Sequence, residues 1–266
     1  MIIGFLGGGN MGSALMQGLV KSRPAGFDAV KAYDPTEAAQ KRLADMGVAL
    51  ASSADELFAD CDMIVLAVKP QVLEKAVAPY AGALSGKFVV SIAAGWTLEQ
   101  LHKLLPESAH VLRVMPNTPA LVGCGMTALC DSPELSSGER AAAEALFGSV
   151  GEYVWLSEHL IDAVTGVSGS GAAYVYMFID AMACGGVRMG LPRSVAVKLA
   201  AQTVKGAAEM VLSTNEHPDA LRDAVCSPAG TTIEAVRVLE ERGLRPAVMD
   251  AVIACAEKSR DMARSK

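Results

Sequence analysis

The sequence predicts an α/β domain over residues 1–158 followed by an all-α domain over residues 159–266. Three observations carry this reading. Short apolar runs alternate with amphipathic stretches through the first part, a glycine-rich turn follows the first apolar run, and strand-like runs cease near residue 158. A length of 266 residues agrees with two domains at roughly 150 residues each.

The elements follow in order. Ile2 to Leu6 reads as a buried strand, Val30 to Tyr33 as a second and Val48 to Ala51 as a short third. Met63 to Val68, Phe88 to Ala93 and Val111 to Met115 continue the series, and Tyr153 to Leu156 closes it. Ala38 to Met46, Val72 to Leu84 and Ser136 to Phe147 carry helical patterns. Such alternation specifies a parallel sheet covered on both faces. Met115-Pro116-Asn117-Thr118-Pro119 reads as a turn bracketed by prolines.

Directly after the first strand, Gly7-Gly8-Gly9-Asn10-Met11-Gly12 satisfies G-x-G-x-x-G with Gly7, Gly9 and Gly12. Glycines permit a tight turn and the close approach of a pyrophosphate, whose charge meets the free N–H groups of the next helix. Asp34 ends the second strand, 22 residues beyond Gly12, where a carboxylate accepts hydrogen bonds from a ribose. The first domain is therefore read as a Rossmann-type nucleotide-binding domain. Ala67-Val68-Lys69-Pro70 and Ala93-Ala94-Gly95 leave two further strands at the same edge; their small residues and proline also suit ordinary strand-to-helix loops.

Beyond residue 158 the pattern is helical. Asp162 to Met189 contains the small-residue segment Gly166-Val167-Ser168-Gly169-Ser170-Gly171, and Gly190-Leu191-Pro192 stops and restarts the helix. Ser194 to Leu212 is apolar around most of its circumference, and so small a domain offers little bulk to bury it. Self-association is the expected solution. Pro218 to Cys226 makes a short helix, and Ser227-Pro228-Ala229-Gly230-Thr231-Thr232-Ile233-Glu234 opens another. Thr231 and Glu234 have capping-box spacing, so Thr231 is the expected N-cap. The same start, with its N–H groups and the hydroxyls of Ser227, Thr231 and Thr232, suits a small carboxylate.

Composition excludes other classes. A net charge of −6 and 5% aromatics oppose nucleic-acid binding. Six cysteines without a CxxC pair and four scattered histidines predict no metal site, but reduced thiols of a cytoplasmic protein. Met1 to Val20 lacks a leading positive charge and is interrupted by Asn10, Ser13 and Gln17, so it is not read as a signal peptide. Gly171 to Val187, broken by Asp180, falls short of the roughly 20 apolar residues of a membrane span.

Several segments resemble one family. Gly7 to Gly12, Ala67 to Pro70, Arg113 to Pro119, Val167 to Gly171 and, most specifically, Val225 to Val236 look like Δ1-pyrroline-5-carboxylate reductase, a likeness spanning nearly the whole chain. The resemblance implies reduction of 1-pyrroline-5-carboxylate to L-proline by NADPH or NADH, the last step of proline biosynthesis. It also implies a helical dimerisation domain, giving a homodimer that is often assembled into a decamer. Carried over by motif, Leu6, Gly7, Gly8, Gly9, Asn10 and Met11 would hold the pyrophosphate. Asp34 and Thr36 would face the adenosine ribose, and Ala67, Val68, Lys69, Pro70, Ala93, Ala94 and Gly95 would line the cofactor. Ser227, Thr231, Thr232 and Glu158 would hold substrate, with the Thr232 hydroxyl on the ring nitrogen.

The chain departs from the family at Ala172, where proline is frequent, at Ala229, where a second glycine is, and at Ala54, where a polar residue sometimes contacts the nucleotide. Two rival readings are weighed. β-Hydroxyacid dehydrogenases place a lysine shortly after a glycine-rich segment, and Gly169 to Gly186 contains none. A non-catalytic nucleotide-binding regulator would need no segment like Ser227 to Thr232.

Overall fold

A computed structural model describes residues 1–264; Ser265 and Lys266 of the expected second domain lie outside the described residues. The first element is β1 (Ile2–Leu6), followed by α1 (Asn10–Ser22), β2 (Ala29–Tyr33), α2 (Glu37–Asp45), β3 (Ala49–Leu50), α3 (Ala54–Asp60) and β4 (Met63–Leu66). Then come α4 (Leu73–Val77), β5 (Phe88–Ser91), α5 (Leu98–Leu104), β6 (His110–Met115), β7 (Gly125–Cys130), α6 (Ser137–Gly148) and β8 (Gly151–Leu156). The helical part holds α7 (Ile161–Val164), α8 (Gly171–Arg188), α9 (Arg193–Thr214), α10 (Pro218–Val225), α11 (Thr231–Glu241) and α12 (Leu244–Arg264).

The strands form one eight-stranded sheet in the order β3-β2-β1-β4-β5-β6-β7-β8. Pairing is parallel from β3 through β6, antiparallel between β6 and β7, and parallel again between β7 and β8. Side chains alternate across the strands, so each strand feeds two cores. Ile3 and Phe5 of β1, Met63 and Val65 of β4, and Phe88 and Val90 of β5 meet Leu15 and Met16 of α1 and Leu146 and Phe147 of α6. Leu6, Ile64, Leu66 and Val89 pack on the other face with Leu57 and Phe58 of α3, Leu73 of α4 and Leu101 of α5. This is the doubly wound α/β arrangement expected from the sequence.

Three local features differ from the sequence reading. The sequence pattern does not mark strand β7, because Gly-Met-Thr-Ala-Leu-Cys has one β-branched residue and follows Gly123 and Cys124. Val72 to Leu84 is not one helix: α4 gives way to a 3-10 helix over Ala78–Leu84, with Pro79 in its first turn supplying no N–H. Asp162 to Met189 is interrupted by a π-helical turn, Thr165–Gly169. Within that segment a side chain closes on Gly169: a Cβ there would lie 2.6 Å from Met115 Cε.

The chain divides into two compact units, residues 1–170 with 254–266, and residues 171–253. The first reaches past residue 158 because Ile161 packs with Ala128 and Cys130, and Asn117 binds the π-helical turn. The last turns of α12 also belong to it: Ser259 donates to Asp162 at 2.7 Å and Gln100 to the Ala263 carbonyl at 2.8 Å. No helix among the described residues is long and apolar enough to cross a membrane.

Candidate functional site

The carboxyl ends of β1, β4 and β5 lie side by side, and the ladder extends into their loops. Gly7 donates to Tyr33 O at 2.8 Å and Ala67 to Leu6 O at 2.9 Å. This edge is where a doubly wound sheet receives a nucleotide.

The three glycines of the fingerprint are needed for three different reasons. Gly7 has φ +105°, and a Cβ there would lie 2.7 Å from the Ala67 carbonyl oxygen. Gly12 packs helix against strand, with a Cβ only 2.6 Å from Gly7 O. A Cβ on Gly9 would meet nothing within 4 Å: it points into the open space that a pyrophosphate needs to approach the backbone. Gly9 is the N-cap of α1 and lacks a side-chain capping bond, so the first N–H groups of α1 face that space. The residues present therefore fit a dinucleotide.

Gly8 takes no part in that opening. Its N–H donates to Asp34 Oδ2 at 2.8 Å, and its carbonyl accepts from Ser13 Oγ at 3.0 Å and from the Arg42 guanidinium. Asp34 Oδ1 accepts from both Thr36 N and Thr36 Oγ1, at 2.9 and 2.7 Å. Burial pushes the Asp34 carboxyl up, but the bonds from Thr36 and Gly8, with Arg42 nearby, outweigh it and hold the pKa below the ordinary value. Asp34 is ionised at neutral pH and locks the loop from the end of β2. Ser13 and Arg42 were not assigned this role from sequence; a hydroxyl one residue after the third glycine is the signal that was there.

On the next two loops, Lys69 is exposed, Ala67, Val68, Pro70 and Ala94 are half-buried, and Ala93 and Gly95 are buried. The Trp96 indole N–H donates to Pro70 O at 2.9 Å, joining the two loops. Deeper in the same unit, Glu158 Oε1 accepts from Leu98 N at 2.7 Å and from Arg113 at 2.8 Å. The Arg113 side chain is 7% exposed. Asn117 donates to Ser168 O at 3.1 Å and accepts from Met126 N at 2.9 Å, bringing the Met115–Pro119 and Val167–Gly171 segments together.

In the second unit, Ser227, Thr231 and Thr232 stand at the start of α11, with Ser227 and Thr231 exposed and Thr232 half-buried. The expected cap at Thr231 is corrected: Gly230 is the N-cap, in an extended conformation, and Thr231 is the first helical residue. Two causes act. A turn closes from Gly230 N to Ser227 O at 3.0 Å, and Glu234, instead of reaching back, pairs with Arg237. Glycine suits the cap, since a Cβ on Gly230 would lie 2.2 Å from Ser227 Oγ and 3.0 Å from Ser227 O. The result leaves both threonine hydroxyls and the leading N–H groups clear of capping bonds.

Comparison with known proteins identifies both halves. A family model described as pyrroline-5-carboxylate reductase dimerisation matches residues 158–262, and one described as NADP oxidoreductase coenzyme F420-dependent matches residues 2–95. A pyrroline-5-carboxylate reductase of Escherichia coli is 46% identical over 265 residues, covering 99% of this chain and 98% of that one. The Arabidopsis thaliana enzyme of that name is 39% identical, covering 99% and 96%. The solved Plasmodium falciparum pyrroline carboxylate reductase with NADP bound superposes with a TM-score of 0.89 at 33% identity, covering 99% and 98%. A glycine turn open only at Gly9, a Ser227–Thr232 helix start and full-length likeness of this degree agree: the chain belongs to the pyrroline-5-carboxylate reductase family.

Proposed function

We propose that this NAD(P)H-dependent reductase of 1-pyrroline-5-carboxylate, which forms L-proline, binds cofactor at the Gly7–Gly12 turn and substrate at the start of α11. The observation that carries the cofactor half is the open space at Gly9, bordered by the free N–H groups of α1. Bound NAD(P)H supplies the hydride that adds to the carbon of the C=N bond. The chain supplies orientation and a proton-holding environment. Asp34 and Thr36 face the ribose, and Ala67 to Pro70 with Ala93 to Gly95 line the nicotinamide half.

At α11, the leading N–H groups and the Ser227 and Thr231 hydroxyls receive the substrate carboxylate. Thr232 directs its hydroxyl to the ring nitrogen, where a donor favours the transition state as the nitrogen keeps its proton. Glu158 is engaged by Leu98 and Arg113 through one oxygen, and any substrate contact would use the other.

The functional protein is a homo-oligomer, at least a dimer and by family likeness a decamer, working in the cytoplasm without nucleic acid or membrane. The support is the helical unit: Met177 of α8 is 74% exposed and Leu212 of α9 72%, in a segment matched by a dimerisation model. The test is loss of nicotinamide absorbance with the cyclic imine, and stoichiometric appearance of proline. Turnover of semialdehyde and 3-hydroxy-acid pairs with none of the imine would refute the substrate.

A further inference from the structure

Trp96 lies outside every segment assigned to cofactor or substrate, yet it connects two of them. It follows Ala93-Ala94-Gly95 at the exit of β5, and its indole N–H reaches the carbonyl of Pro70 at the exit of β4. Its own side of this connection is firmly anchored. Thr97 caps α5 in a complete capping box with Gln100, and Leu98 N is held by Glu158. Trp96 precedes that cap and packs in one core cluster with Leu101, four residues past the cap, the arrangement of a hydrophobic staple.

The Pro70 side has no such capping box: it is held by Val72 N donating to Lys69 O at 3.0 Å and by Leu73 in the same core. Pro70 and Trp96 border a cavity of about 420 Å³ lined also by Gln71, Glu74, Gln100, Lys103 and Leu104. Side-chain packing does not fill the space beside Pro70, so the indole hydrogen bond takes a larger share in placing that loop. Pro70 itself has no N–H to contribute.

We infer that Trp96 is a positioning residue for the cofactor: its N–H sets the Lys69–Pro70 loop at the height of the Ala93–Gly95 loop, so that both meet the nicotinamide half together. The inference rests on the cofactor assignment proposed above. It places a determinant of cofactor affinity on a residue outside the segments assigned to the cofactor. A loop left free to move must be ordered on binding, so loss of the bond weakens affinity and leaves the chemical step alone.

The experiment uses full-length protein with two substitutions. Trp96→Phe removes the N–H and part of the ring. Site-specific β-(3-benzothienyl)alanine at position 96 keeps the bicyclic shape and replaces N–H by sulfur. Direct titration with NADH and NADPH, followed by the fluorescence of the bound dinucleotide, gives Kd without requiring turnover. The expected result is a rise of about fivefold in Kd and in KM for the dinucleotide in both proteins, the worth of one hydrogen bond. kcat and KM for the imine should stay within about twofold. An isosteric protein with unchanged Kd would overturn the inference, whether or not its melting temperature falls. A parallel loss in kcat would overturn it too. Wild-type protein that binds dinucleotide but does not reduce the imine would remove the proposed substrate and leave this inference standing.

Discussion

Asp34 Oδ2 and Gly8 N are joined at 2.8 Å, so the carboxylate at the end of β2 also holds the glycine turn at the end of β1. One side chain thus couples the end of β2 to the geometry of the glycine turn. A carboxylate there accepts from a 2′-hydroxyl and repels a 2′-phosphate. NADH should be used at least as well as NADPH, and Asp34→Ser should raise relative NADPH use while weakening both. Competition of kcat/KM values decides it: a wild type that prefers NADPH refutes the role of Asp34.

The same carboxylate has an acid signature. Its pKa is lowered in the folded chain, so its stabilisation is present above the unfolded value near 4 and is lost as pH falls below that. Asp34→Asn should therefore lower the melting temperature at pH 7 more than at pH 3. Equal losses at the two pH values would contradict the assignment.

Thr232→Ala should reduce kcat/KM roughly 10- to 100-fold, the loss of one hydrogen bond of about 1–3 kcal/mol in the transition state. Thr232→Ser, which keeps the hydroxyl, should retain most activity. Since Thr232 is not the N-cap, neither variant should melt appreciably lower. An Ala variant that turns over normally ends the proposal.

Ala229 has φ +57°, a conformation costly for a residue with a Cβ. Ala229→Gly should raise stability by about 0.5–1 kcal/mol, the relieved strain exceeding the entropy that glycine adds to the unfolded chain. Thermal melting measures it. A lower melting temperature for the glycine variant would refute the strain.

The exposed apolar side chains of α8 and α9 predict association. Light scattering should give at least twice 27.6 kDa, and an active monomer would refute the dimer.

Legibility from sequence followed the range of the interactions. Ile3 and Phe5 alternate with Leu6 by a local rule, and Gly7, Gly9 and Gly12 lie within six residues of one another in a recognisable spacing, so the nucleotide domain and its glycine turn are legible directly. Strand β7 is not, because its pairing with β6 and β8, and not its composition, makes it a strand. The cap at α11 falls one residue from the capping-box position because two spacing rules compete for Glu234, and its i,i+3 pairing with Arg237 prevails over the reach back to the cap. Trp96 with Pro70, and Arg113 with Glu158, are pairings between distant segments. Neither partner's neighbourhood announces the other.

The return of α12 has a consequence for biosynthesis. Gln100 emerges from the ribosome 163 residues before the Ala263 whose carbonyl it binds, and Asp162 waits likewise for Ser259. The nucleotide-binding unit is thus the first to begin folding and the last to be completed. C-terminal truncations or fusions that disturb the final turns should damage this unit, although the segment removed lies far from it along the chain.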